Sequence, residues 1–116
     1  MTVPHERIIE ACRPILERIG FHDAKTRHSR RFITAYQIWL ELKRARDPIC
    51  DELIDACRGE YVGKDAGSNV GPAQKIAQAL GNCSDIETQY IVTKHLHFNG
   101  INPSDGEDCG LFRLKE

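Results

Sequence analysis

A chain of 116 residues, 41% hydrophobic and 28% charged, can bury roughly two-thirds of the surface its unfolded form exposes, enough for one core without metal or covalent links. Its formal charge of −1 excludes a global electrostatic pull toward nucleic acid or membrane, and no run approaches the ~18 uninterrupted apolar residues of a membrane span. Met1 to Glu10 lacks the basic, apolar, small-residue order of a secretory signal, so a single cytoplasmic domain over residues 1–116, with no membrane partner, is the expectation.

Along the chain, Ile8, Cys12, Ile15 and Ile19 fall at helical spacing with Ile9 and Leu16 beside them, and Gly20 follows as a stop. Pro14 interrupts that helix, which predicts a kink or break near Cys12. The polar, basic stretch from Phe21 to Ser29 reads as a loop. A second helix is expected from about Arg30 to Ala45, with Ile33, Tyr36, Leu40 and Lys43 on one stripe, widened by Ala35, Trp39 and Leu42. Asp47 and Pro48 suit a helix N-cap and first position. The third helix begins there, carries Ile49, Leu53, Ile54 and Cys57, and ends at Gly59.

Glu60 to Gly71 holds Gly63, Gly67, Ser68 and Asn69 and reads as a flexible connection. Pro72 opens a fourth helix, stopped by Gly81, with Ala73, Ile76, Ala77 and Leu80 inward and Gln74, Lys75 and Gln78 outward. From Ser84 to Phe98 two signals conflict. Ser84 and Glu87 have capping-box spacing, whereas Tyr90 to Thr93 are β formers in a row. Alternation decides for a strand with Tyr90, Val92, Leu96 and Phe98 on one face, interrupted by Lys94, and Thr93, His95 and His97 on the other. The acidic, turn-rich loop from Asn99 to Gly110 then returns to a second strand over Leu111 to Leu114, with Phe112 and Leu114 inward. The fold class is therefore α+β, about four helices followed by a C-terminal two-stranded hairpin.

Three consecutive helices, a glycine-rich connection before the last and then two strands form an order, over Arg30 to Leu114, that resembles winged helix-turn-helix domains. The resemblance implies that the helix opening at Pro72 is a recognition helix, with Gln74, Lys75 and Gln78 toward base edges and the Asn99 to Gly110 loop as the wing. Asp105, Glu107 and Asp108 give that wing the wrong sign for phosphates.

Charge is unevenly distributed. Lys25, Arg27, Arg30, Arg31, Lys43, Arg44 and Arg46 face only Glu41 in their segment, and Asp47, Asp51, Glu52, Asp55 and Glu60 follow against Arg58. Arg27, Arg30 and Arg31 are candidate phosphate contacts; a solvated loop packed on the acidic helix is the ordinary alternative. The opposed blocks, and Trp39 beside Leu40 and Leu42 on a broad apolar helix, also predict a homodimer.

The remaining constellations are weaker. His95 and His97 share a strand face that Cys109 or Asp108 could join as metal ligands, but an exposed pair on a hairpin explains them as well. Gly63 to Asn69 lacks the order of a phosphate-binding loop, and Asp65 would oppose a phosphate. Asp51 and Asp55 fit an exposed acidic face. Cys12, Cys50, Cys57, Cys83 and Cys109 are odd in number and contain no C-x-x-C pair, so a reducing compartment and inert buried thiols are expected. No catalytic residue, metal or cofactor is assigned; nucleic acid is the candidate ligand and a non-catalytic homodimeric interaction module the alternative.

If apolar burial supplies the stability, the helical circular dichroism signal should survive both reductant and chelator. Its collapse with either reagent alone would contradict that account.

Overall fold

The computed structural model describes residues 2–19, 31–61, 70–92 and 108–115. Four helices and three strands follow in the order α1 (His5–Ile19), β1 (Ile33–Thr34), α2 (Ala35–Arg44), α3 (Ile49–Cys57), α4 (Pro72–Gly81), β2 (Ile86–Val92) and β3 (Asp108–Leu114). The fold is α+β, helices packed on a small antiparallel sheet, and the C-terminal hairpin is present.

Pro14 does not break α1, which runs through it as one helix. The ring stands among exposed positions, Glu10 one turn before it and Glu17 and Arg18 after it. Water can therefore satisfy the carbonyl that proline leaves unpaired. Ile8, Cys12, Ile15 and Leu16 are buried on the opposite face.

The expected second helix starts later than Arg30. Residues 31 and 32 are not helical, and Ile33 and Thr34 form a strand that the sequence pattern does not predict. Thr34 is almost wholly buried yet satisfied: its Oγ1 accepts the Gln37 backbone N–H at 3.1 Å, and Gln37 Oε1 accepts the Thr34 N–H at 2.9 Å. That reciprocal capping box fixes the helix start at Ala35. The buried stripe of α2 is Ala35, Ile38, Trp39 and Leu42: the expected Ala35, Trp39 and Leu42 are on it, Ile33 is buried in β1 instead, and Tyr36, Leu40 and Lys43 lie to its side or in solvent. Trp39 is 0% exposed, so it offers no surface to a second chain. Lys43 lies over its indole ring, 5.8 Å from the centroid, and also pairs with Glu60.

Asp47 does act at the start of α3, its Oδ1 accepting the Ile49 N–H at 2.9 Å, with Pro48 standing one position before the first helical residue. The helix ends at Cys57, two residues before the expected Gly59. Arg58 turns into the left-handed region at φ 58° and Gly59 donates to the Ile54 carbonyl at 3.0 Å, the wide hydrogen bond of a Schellman ending. Arg46 closes α2 in the same way at φ 55°, with Asp47 donating to Leu42 at 3.1 Å.

The strand order is β1-β3-β2, all antiparallel. Phe112 sits opposite Ile33 on one side and Thr88 on the other. Phe112 and Leu114 are buried, as predicted, and Ile86 joins them on the helix-facing side. Tyr90 and Val92 share that face by alternation but are 69% and 66% exposed. They are exposed because the core reaches only the Ile86, Phe112 and Leu114 part of the hairpin. Of the expected loop from Asn99 to Gly110, Asp108 to Gly110 belong instead to β3, while residues 99–107, with Leu96 and Phe98, lie outside the described residues, as do residues 62–69 of the expected connection from Glu60 to Gly71. Among the described residues no helix is long and apolar enough to cross a membrane.

The two charge blocks meet within the chain. Arg7 of α1 pairs with Glu52 of α3, Lys43 with Glu60, and Arg18 and Arg44 both with Glu41 at 3.3 and 2.8 Å. Their side chains are at least partly exposed, so each pair contributes at most about 1 kcal/mol. Apolar burial carries the fold.

One close backbone approach is decisive for α4. A Cβ built on Gly71 would lie 1.6 Å from the Tyr61 carbonyl oxygen, so only glycine allows the chain to return beside Tyr61 and enter the helix. Gly81, by contrast, has no neighbour within 4 Å of such a Cβ. Gly71→Ala should therefore lower the urea-unfolding free energy by about 1–3 kcal/mol or more, whereas Gly81→Ala should raise it by about 0.5–1 kcal/mol.

Candidate nucleic-acid interface

α4 begins where the sequence places it. Gly71 is extended at φ −104° and ψ 174°, and Pro72 takes the first helical position, where its missing N–H costs nothing. The helix buries Pro72, Ala73, Ile76, Ala79 and Leu80, with Ala77 half-buried, against α1, α2, α3 and both long strands. Because so much of its circumference is covered, its exposed side is narrow. Gln74 and Gln78, one turn apart, are both exposed. Asn82 closes the far end, its Nδ2 donating to the Gln78 carbonyl at 2.9 Å.

Lys75 behaves differently from its glutamine neighbours. It is half-buried and lines a pocket of about 310 Å³ with Thr2, Val3, Pro4, His5, Leu53 and Ala56. Its ammonium partly offsets the effect of burial on Cys57, whose thiol is nonetheless pushed up. The α4 stripe turned to solvent is thus neutral, two amides that can each donate and accept.

Arg31 is exposed and immediately precedes β1. Next to it, Phe32 lies under the Arg113 guanidinium at 4.2 Å, and Arg113 bonds Glu87 at 2.9 Å across the β2–β3 ladder. This stacked row on the outer sheet face was not anticipated. Its signal is visible only once the register sets Glu87 opposite Arg113. β1 packs chiefly on β3 and α2, so Arg31 and the α4 glutamines belong to different parts of the fold. Arg27 and Arg30 lie outside the described residues.

The other sequence candidates can be placed in part. His95, His97 and the Gly63 to Asn69 stretch are outside the described residues. Among those described, no three histidine, cysteine or acidic side chains gather as metal ligands. Cys109 is buried in β3, with Sγ 3.6 Å from the Gly110 carbonyl oxygen. All five cysteines are free. Burial pushes the Cys109 thiol up; burial, reinforced by Asp47, pushes Cys12 up to about 12 and, with further nearby carboxylates, Cys50 up to about 11. Thiols held neutral at physiological pH are poor nucleophiles.

Comparison of the chain with protein-family models, curated proteins and solved structures found no match.

The Cys12 shift has a pH consequence of definite sign. Because the folded thiol ionises near 12 and the unfolded one near 9.0, the folded state holds the extra proton between those values. The stabilisation is complete below pH 9 and is lost as pH rises through the folded value, at up to about 1.4 kcal/mol per pH unit. Cys12→Ala should flatten that part of the urea stability profile relative to the parent protein, and thiol reagents at pH 8 should label Cys12 only after unfolding.

Proposed function

We propose that the chain is a small cytoplasmic nucleic-acid-binding or regulatory module with a winged-helix-like layout. The observation that carries this reading is α4. It immediately precedes the hairpin in the element order, is packed on nearly every other element, and turns outward a stripe bearing Gln74 and Gln78. Paired glutamines one helical turn apart suit the donor and acceptor pattern of base edges in a major groove. Arg27, Arg30 and Arg31 supply phosphate contacts from the segment leading into β1. Lys75, half-buried beside α3, serves as a supporting charge. The free cysteines accord with a reducing cytoplasmic setting.

The two residue groups give separable outcomes in a binding assay against mixed duplex and single-stranded DNA. Replacing Arg27, Arg30 and Arg31 with alanine should weaken binding to every sequence and reduce the log-log salt slope by about 0.9 for each phosphate no longer neutralised on duplex DNA. Gln74→Ala or Gln78→Ala should instead change preference among sequences, by about 1–3 kcal/mol for each base-edge interaction removed. No binding by folded protein at low salt would end this reading.

A second reading, a non-catalytic homodimeric interaction module, is favoured by a different observation from the one that first suggested it. Trp39 is buried, but Tyr90 and Val92 expose apolar surface on the hairpin.

A further inference from the structure

β2 is the outermost strand of the sheet. β3 occupies one of its edges, and among the described residues nothing pairs with the other. At its start the strand is anchored, with Ile86 in the core and Glu87 bonded to Arg113. Beyond that point it runs out from under the helices, and Tyr90 and Val92 become the two most exposed large apolar side chains of the described residues, ahead of Val70 at 38%.

Exposed edges in soluble proteins are ordinarily blunted by charge, proline or a bulge. Thr88, Gln89, Tyr90, Ile91 and Val92 include no charged residue, no proline and no glycine. The ladder from Ile86 opposite Leu114 to Val92 opposite Asp108 advances one residue at a time without a bulge. The edge is therefore straight, uncharged and rich in β formers, the properties that favour strand addition.

From this edge we infer that β2 pairs antiparallel with β2 of a second copy of the chain, across a two-fold axis at Tyr90. The inference rests on the homodimeric reading and gives it a surface. Symmetry about Tyr90 sets Tyr90 against its counterpart, Thr88 against the partner's Val92 and Gln89 against the partner's Ile91. Every opposed pair is uncharged, so the self-pairing meets no like-charge repulsion, and it brings together an aromatic pair and two kinds of polar–apolar cross-strand neighbour. The nearest fixed charge on β2, Glu87, is already neutralised by Arg113. An acidic or basic strand would find no counter-charge along Thr88 to Val92, so the edge suits an uncharged strand, and the chain's own segment is one. Five residues of strand bury less than the ~1,200 Å² of a standard interface. The dimer is consequently reversible and concentration-dependent.

Sedimentation velocity on the full chain from about 1 μM to about 1 mM brackets the affinities expected of so small an interface. The parent protein should pass from monomer to dimer within that range. Tyr90→Lys and Tyr90→Glu, each placing two like charges at the axis, should remain monomeric while keeping the parent circular dichroism, and an equimolar mixture of the two should recover the dimer. Val92→Lys, away from the axis, should also weaken association by at least tenfold. A parent protein that dimerises as strongly as all three variants overturns the β2 surface but leaves the homodimeric reading standing. A parent protein that is monomeric throughout overturns both and leaves the edge to a strand from another protein. A mixture that stays monomeric overturns the register centred on Tyr90.

Discussion

Phe112 stands in the middle strand of the sheet, with Ile33 opposite on one side and Thr88 on the other, and its ring belongs to the same core as the buried faces of all four helices. Through this residue a strand that precedes α2 is joined to a hairpin that follows α4. Gly110 makes the arrangement possible, because a Cβ there would meet the Phe112 ring at 2.9 Å. Once β3 is held between β1 and β2, the helix-facing side of the sheet is defined and α4 has a floor to pack on. Trp39, Leu53, Ile76 and Leu80 then close the core from the helical side. Among the described residues the Trp39 indole N–H is buried without a hydrogen-bond partner, an omission of the kind that costs about 1–3 kcal/mol.

What could be read from the sequence was whatever the backbone dictates locally. α4 is the clearest case: Pro72 starts the helix as its residue type suggests, and the helix runs to Gly81, with Asn82 as its cap. On α2 the residues expected to widen the stripe, Ala35, Trp39 and Leu42, are the buried ones, whereas the row counted from Ile33 is out of phase because Ile33 belongs to β1, paired with Phe112 far along the chain. Thr34 and Gln37 had the spacing that marks the true start. On β2, alternation identifies which side chains share a face but carries no information about where the helical cover stops, so the exposure of Tyr90 and Val92 is not legible in it. The candidate interface divides in the same way. Exposure of Gln74 and Gln78 follows from helix periodicity alone, whereas the partial burial of Lys75 depends on α3 and the N-terminal segment lying alongside.

Electrostatics here is mainly internal. Lys43 with Glu60 joins the basic block to the acidic one, Glu52 of the acidic block pairs with Arg7 of α1, and Glu41 draws both Arg18 and Arg44. Such pairs orient α1, α2 and α3 more than they stabilise them. The stripe that α4 leaves uncovered is neutral, so any ligand it meets is selected by hydrogen-bond geometry, while attraction over distance must come from arginines elsewhere in the chain.

The pairing of β1 with β3 also bears on how the chain is made. Synthesis proceeds from the N-terminus at about 5–20 residues per second, so Ile33 waits several seconds before Phe112 exists to meet it. During that interval a longer strand would present an unpaired apolar edge to neighbouring nascent chains. β1 has only two residues, and Thr34 is engaged at once by Gln37 in a hydrogen-bonded pair that needs nothing downstream. The brevity of β1 thus keeps the part of the sheet that is born first from being available to the wrong partner while the rest is still being translated.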